Sequence, residues 1–288
     1  MLGCGLLLLV LALATCRGGS DVSFFVLVKS SNWAQDSDGQ LTLLNYHFFS
    51  EIFIQPGGRI VSAVLRPQQP PGAPLQFEDR GETWYVEGGH FDSLQELDAA
   101  YPNGSFAFDI EMSEGRLRHV SLRLEGPDGR TDLPAPIRIS LIQQGVEVSP
   151  LQIDPSLDLQ VRWSEYSNGV ADPRDIVDDM IFVVIADCQG ERLFHTGLPF
   201  QGEYLTFRAS EVVVGAGTLA PGQPYSAFVE FPHVVDSRIL AGVPGFTSYA
   251  TATYLDLRTT GPASDAACPE VAPPMDTGQT DRMPSTRP

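Results

Sequence analysis

Apolar and polar residues along this chain alternate mostly with the two-residue period of strands. Val22 to Lys29 reads as an apolar strand followed by a polar loop with the turn signal Asp36-Ser-Asp-Gly39. Leu41 to Ile54 is a long strand or a pair of strands, closed by Pro56-Gly57-Gly58. Arg59 to Arg66 alternates again, with Ile60, Ser62 and Val64 on one face and Val61, Ala63 and Leu65 on the other. Proline donates no ladder hydrogen bond, so the Pro-rich segment from Arg66 to Pro74 is expected to be an exposed connection. Thr83 to Glu87 reads as a short aromatic strand, and Phe106, Phe108, Ile110 and Met112 alternate with Ala107, Asp109 and Glu111 as a half-buried one. The period changes once. Ser93-Leu-Gln-Glu96 matches a capping box, in which Ser93 accepts from the amide three residues on and Glu96 reaches back. Leu94, Leu97 and Tyr101 then recur at spacings of three and four, predicting a short helix over 93–101 that ends at Pro102-Asn-Gly104.

Strands also fill the second half, at Leu157 to Trp163, Met180 to Ala186, Glu191 to His195, Tyr204 to Ala209, Tyr225 to Phe231 and Ser248 to Arg258. Asp187-Cys-Gln-Gly190 is the turn of a hairpin joining two of them. Ile137 to Ile142 suits either the last strand of the first half or the first strand of the second. The fold class expected is all-β, with a β-rich module over 21–132 that carries the helix, a second module over 133–260, and a disordered Pro-, Ser-, Asp- and Gly-rich tail over 261–288.

Leu219-Ala-Pro-Gly-Gln-Pro-Tyr225, a turn feeding a strand, has the form of a tyrosine corner, in which a strand-entry Tyr bonds back to the chain just upstream. With Trp163 in the place of a buried early-strand Trp, the second module resembles the fibronectin type III or immunoglobulin-like β-sandwich over about 120 residues. That resemblance implies a fold and a stabilising role for Tyr225, and no activity. Phe91 to Ile110, a Leu-x-x-Leu helix running into an aromatic-Pro-x-Gly turn and a strand, resembles a recurring element of uncharacterised secreted bacterial proteins.

The N-terminal residues bear on compartment. Leu6 to Ala14 is an unbroken apolar run, too short to cross a bilayer as a helix, and it ends in the small-residue pattern Ala12-Leu13-Ala14. An export signal over 1–20 is expected, although Met1 to Gly5 holds no Lys or Arg. Leu13-Ala14-Thr15-Cys16 resembles a lipobox with a poor residue at Thr15, and a lipid on Cys16 is the only membrane attachment expected. An exported compartment permits pairing of Cys188 with Cys268, which would tie the tail to the second module. Closing that loop of roughly 80 residues is worth about 4.5 kcal/mol in the chain-entropy model.

Formal charge is -18 and the isoelectric point about 4.5. Nucleic acid is excluded as a partner, since phosphate binding needs a basic patch and none is visible. The partner expected is a protein or glycan at the cell surface. Among 18 basic residues Lys29 is the single lysine, a bias of genome composition.

The strong catalytic motifs are absent: no Gly-x-Ser-x-Gly elbow, His-Glu-x-x-His helix, phosphate-binding Gly loop or Cys-x-x-Cys pair occurs. Asp109, Glu111 and Glu114 are the nearest imitation of a glycosidase acid/base set, and a solvated sheet face competes with that reading. His47, His90, His119, His195 and His233 lie at wide spacings, with no two within a local ligand-forming step. For calcium, Asp36 and Asp38 share a tight turn, and Asp172, Asp175, Asp178 and Asp179 crowd one loop, but neither group alone offers six to eight oxygens. Trp33, Trp84 and Tyr85 suit either a sugar-stacking platform or the core. No catalytic, cofactor-binding or metal residues are therefore assigned. The function expected is non-catalytic: binding, adhesion or envelope structure. A carbohydrate-active hydrolase and a calcium-dependent glycan-binding module are the alternatives.

Overall fold

The computed structural model describes residues 20–113, 115–126 and 131–262. The expected export signal, Cys16, Glu114, Cys268 and all but the start of the expected tail lie outside the described residues. In chain order the strands are β1 (Val22–Gln35), β2 (Leu41–Ile54), β3 (Ile60–Gln69), β4 (Leu75–Gln76), β5 (Glu78–Asp79) and β6 (Thr83–Phe91). Helix α1 (Leu94–Ala100) follows, then β7 (Ser105–Met112), β8 (Gly115–Arg123), β9 (Ile139–Gln143), β10 (Val146–Glu147) and β11 (Leu159–Trp163). The chain continues with β12 (Met180–Asp187), β13 (Arg192–His195), β14 (Leu205–Thr206), β15 (Glu211–Val214), β16 (Pro224–Leu240) and β17 (Val243–Arg258). The class is all-β, as the alternation predicts.

One large sheet runs β13-β12-β16-β17-β1-β2-β6-β5, with β14 attached to β12, and two four-stranded sheets run β4-β3-β7-β8 and β10-β9-β11-β15. Both small sheets pack on the same face of the large one. Phe25, Leu27, Phe48 and Ile52 meet Leu65, Phe106, Phe108 and Leu122 in one core, while Ile181, Val183, Val229 and Leu257 meet Ile139, Leu141 and Val161 in the other. The division expected near Leu133 falls between the two small sheets, but the large sheet crosses it and the first core takes Val235, Val243 and Tyr249 from beyond it. β1 pairs parallel with β17 over Phe25–Gln35 and Gly245–Leu255, joining the two halves of the chain.

A polar seam lies between the cores. Ser31 and Thr251 share a hydrogen bond of 3.0 Å, Thr251 donates to the Pro134 carbonyl, and Thr253 accepts from the Ile137 amide. Gln35 bonds both the N–H and the C=O of Ile139 at 2.7 Å. These buried side chains satisfy a connector that would otherwise bring bare peptide groups into the interior.

Two prolines corrected the strand limits. β3 continues through Pro67, which pairs with Phe106, instead of stopping at Arg66; β4 covers only Val64 and Leu65, so Pro67 lies where β3 is an edge. β16 runs 17 residues, well past Phe231 and through Pro232, because its pairing with β12 has already ended at Glu230.

The expected local devices are formed. Ser93 Oγ accepts from the Glu96 amide at 3.2 Å, but the Glu96 carboxylate reaches the Asp92 amide one residue further back than a capping box requires. Tyr225 Oη accepts from the Ala220 amide at 2.7 Å and donates to the Ala220 carbonyl, closing the corner, and Trp163 is buried with Nε1 donating to the Ala209 carbonyl. Tyr225→Phe is expected to cost about 1 kcal/mol in urea unfolding, because the Ala220 amide loses its partner, while the Ala220 carbonyl keeps the Thr259 hydroxyl. Unchanged stability would remove the corner from the account of this fold.

Candidate functional site

The large sheet has a second face, away from the small sheets, and that face is apolar too. Phe24, Val26 and Val28 of β1, Phe246 and Ala250 of β17 and Met180 of β12 are buried there, with Phe49, Phe53 and Phe182 partly covered. Both faces of β1 are thus hydrophobic, which is why its first seven residues are all buried. Phe24 stacks on Phe53 at 4.1 Å and leans on Phe200 of the loop after β13 at 5.5 Å.

Side chains of β2 and β12 line one and the same hollow on this face, although β16, β17 and β1 stand between those strands. The sheet is therefore rolled into a concave trough. The hollow, about 100 Å³, opens into a wider mouth of about 690 Å³ between the 55–58 turn, the 80–82 turn and the loop at 198–201. Phe53, Arg192 and Leu198 border both spaces, so the two adjoin, and Arg80, its guanidinium over the Tyr85 ring, and Arg192 are among the residues that line the mouth. The combined size falls in the range of small-ligand sites.

Two polar groups in the trough lack the partners that buried polar groups normally find. Ser248 Oγ is buried without a hydrogen bond. Glu230, half-buried among Phe182, Phe228 and Pro232, makes no hydrogen bond or ion pair with any described residue. Burial pushes its carboxyl up to about 7, so it holds its proton and can donate in mildly acidic solution and begins to lose it near neutral pH.

The same face carries a second cluster. β2 and β6 pair with a bulge: His47 faces His90 and Phe49 faces Glu87, so one residue of β2, Phe48, opposes two of β6, Gly88 and Gly89. In a regular strand Glu87 and His90, three apart, would point to opposite faces; the extra residue turns both toward His47. The ligand atoms of His47, Glu87 and His90 lie within 4.8 Å of one another. His47 Nε2 and Glu87 Oε1 are 2.7 Å apart, the His47 and His90 rings stack at 4.4 Å, and the Gly89 amide donates to Glu87 Oε1. Although burial pushes the Glu87 carboxyl up, the His47 hydrogen bond and charge outweigh it and hold it below the usual carboxylate range. The wide sequence spacing of these histidines concealed their meeting across a strand pair.

The other candidates take structural places. Asp109 is held by the Arg66 guanidinium at 2.7 Å and the His119 amide, and Glu111 is exposed beside Ser62, both on the open side of a small sheet away from the trough. Asp36 accepts the amides of Asp38 and Gln40 as a turn residue. Asp172 accepts three loop amides and the Ser237 hydroxyl, Asp178 pairs with Arg208, and Asp179 accepts from His233 and two amides. Asp175 is exposed with a positive φ of 55°. These acidic groups brace the loop and do not converge. Tyr85 is buried on the trough face under Arg80, Trp84 packs into the first core, and Trp33 donates to Ser31, so the three form no platform. Cys188 is disulfide-bonded. The expected partner Cys268 lies outside the described residues.

The geometry defines an all-β protein of two layers with a concave, apolar outer face. No protein-family model and no curated protein matches the sequence. Solved structures with some likeness include the BSP domain of a biofilm-associated protein, at 10% identity and a TM-score of 0.21 over 81% of this chain and 30% of that one. The FN1–FN3 domains of chicken CNTN1 match at 12% identity and a TM-score of 0.18 over 74% of this chain and 63% of that one. IG1+IG2 of DIP-gamma match at 12% identity and a TM-score of 0.19 over 83% of this chain and 96% of that one. The chain thus spans less than a third of the first of these and under two thirds of the second.

Proposed function

We propose that this is a non-catalytic, extracytoplasmic binding protein whose trough holds an amphipathic ligand, its apolar body along the floor and its anionic head in the mouth beside Arg80 and Arg192. The observation that carries the reading is the trough with its adjoining mouth, where an unpartnered Glu230 carboxyl and Ser248 hydroxyl, with the buried Glu51 beside them, are set among apolar side chains. A floor of this kind discriminates against ligands that cannot meet its polar groups, because those groups are then left unpaired on binding. A partner at the cell surface, whether protein or glycan conjugate, would engage the trough through an apolar segment. The disulfide at Cys188 supports an oxidising compartment. For a hydrolase, Asp109 and Glu111 supply no cleft, and Asp109 is already neutralised by Arg66.

Anilinonaphthalene sulfonate, an aromatic body with an anionic head, is a suitable probe. Titrated into the native full-length chain, it is expected to fluoresce on binding at one saturable site, and Phe182→Glu at the trough wall should weaken binding at least about tenfold by placing a charge in the floor. Native near-ultraviolet circular dichroism must be kept in both proteins. Equal enhancement by parent and variant, or none by either, defeats the proposal.

A further inference from the structure

The bulge between β2 and β6 has a cost that local strand pairing does not explain. Gly89 adopts a φ of +93°, and a Cβ on Gly88 would stand 2.5 Å from the Phe48 carbonyl oxygen, so the paired glycines are what the bulge requires. Its effect is to aim Glu87 and His90 at His47, as bulges beside functional sites re-aim side chains. We propose that His47, Glu87 and His90 bind one zinc ion, with water completing the coordination.

The donor set carries the choice of metal. Two imidazoles and one carboxylate suit zinc with one position left open, whereas calcium and magnesium need a shell of oxygens. Tetrahedral ligands about 2.0–2.1 Å from zinc stand about 3.3 Å from one another. The group is already gathered within 4.8 Å, and His47 Nε2 and Glu87 Oε1 are closer than that spacing at 2.7 Å, sharing the proton that zinc would displace. His47, 1% exposed and stacked on Phe49, is a fixed ligand. His90 is exposed and can turn from its stacked position to close the site. The Gly89 amide orients the Glu87 carboxylate, the outer contact that metal-binding carboxylates usually have.

Calorimetric titration of zinc chloride into the metal-free full-length chain is expected to show one ion bound per chain, with no comparable binding of calcium. His90→Ala and Glu87→Gln, both at exposed side chains, should each weaken zinc at least about tenfold and leave the circular dichroism spectrum unchanged. Nuclear magnetic resonance of the imidazole nitrogens should show zinc shifting His47 and His90 but not His119, His195 or His233. Absence of saturable zinc binding, an affinity unchanged in His90→Ala, or shifts confined to the other histidines would overturn the assignment.

Discussion

Glu230→Gln is expected to stabilise the protein at pH 8 by up to about 3 kcal/mol while leaving its stability near pH 4.5 almost unchanged. The carboxyl ordinarily releases its proton near 4.5, and burial in the trough pushes that value up to about 7. A carboxyl whose value is raised by folding binds its proton more tightly in the folded chain. Its contribution is fully present below about 4.5 and is lost as pH rises through about 7, where the folded state must hold an unpaired anion. Glutamine keeps the size and remains neutral, so the loss disappears. Side-chain contact with water at the trough lip makes the figure an upper value. Urea unfolding of parent and variant from pH 4.5 to 8 checks this, since the other carboxylates titrate in both proteins and cancel in the difference. A difference that stays flat with pH would show that Glu230 has found a partner or lies open to water, and the polar floor of the proposed site would then be gone.

Local features were well represented in the sequence. β2 has the limits that the alternation predicts, Leu41 to Ile54, and α1 lies within the predicted 93–101. The Tyr225 corner depends on residues only five apart. What the alternation lacks is any statement of partnership. The parallel pairing of β1 with β17 brings together residues more than 200 apart in sequence, and nothing in either strand names the other. Pro67 and Pro232 read as stops because the rule against proline assumes a neighbour on both sides, and each sits where one neighbour is missing.

The trough left a signal that points to faces and not to function. Val22 to Val28 and Met180 to Ala186 are nearly continuous apolar runs, which imply strands covered on both sides. The small sheets cover one side; the other forms the trough. Glu87-Gly-Gly-His90 also held a clue, since glycine inside a strand pattern suggests a bulge, and a bulge changes which side chains share a face. The meeting with His47 needed the register as well, and that is a long-range property. The acidic clusters failed as cation sites for the opposite reason: adjacent carboxylates are easily seen in a sequence, but the amides that occupy those of Asp36, Asp172 and Asp179 are not.

Asp98→Ala is expected to destabilise the protein by about 3 kcal/mol at neutral pH, the low end for breaking a buried ion pair, because Asp98 itself is 42% exposed. Lys29 is fully buried on β1 beneath α1, and its ammonium donates to Asp98 Oδ1 and Asn103 Oδ1. Asn103 also accepts from Tyr249 Oη, so it cannot replace a carboxylate. Lys29→Met removes the charge together with its need for a partner and is expected to cost little or to stabilise, even though it deletes the same ion pair. Burial lowers the pKa of Lys29 despite the opposing pull of Asp98. A lysine lowered by folding penalises the fold while it is charged, and the penalty is relieved as pH rises from the folded value toward 10.5. The loss in Asp98→Ala should therefore shrink in alkaline solution, whereas a loss due to missing helix packing would stay constant. Denaturant unfolding of both variants at neutral and alkaline pH separates these causes. If Lys29→Met proved the costlier change, the pair would be a net source of stability, and the lone lysine of this arginine-rich chain would be held there by its charge and not merely tolerated.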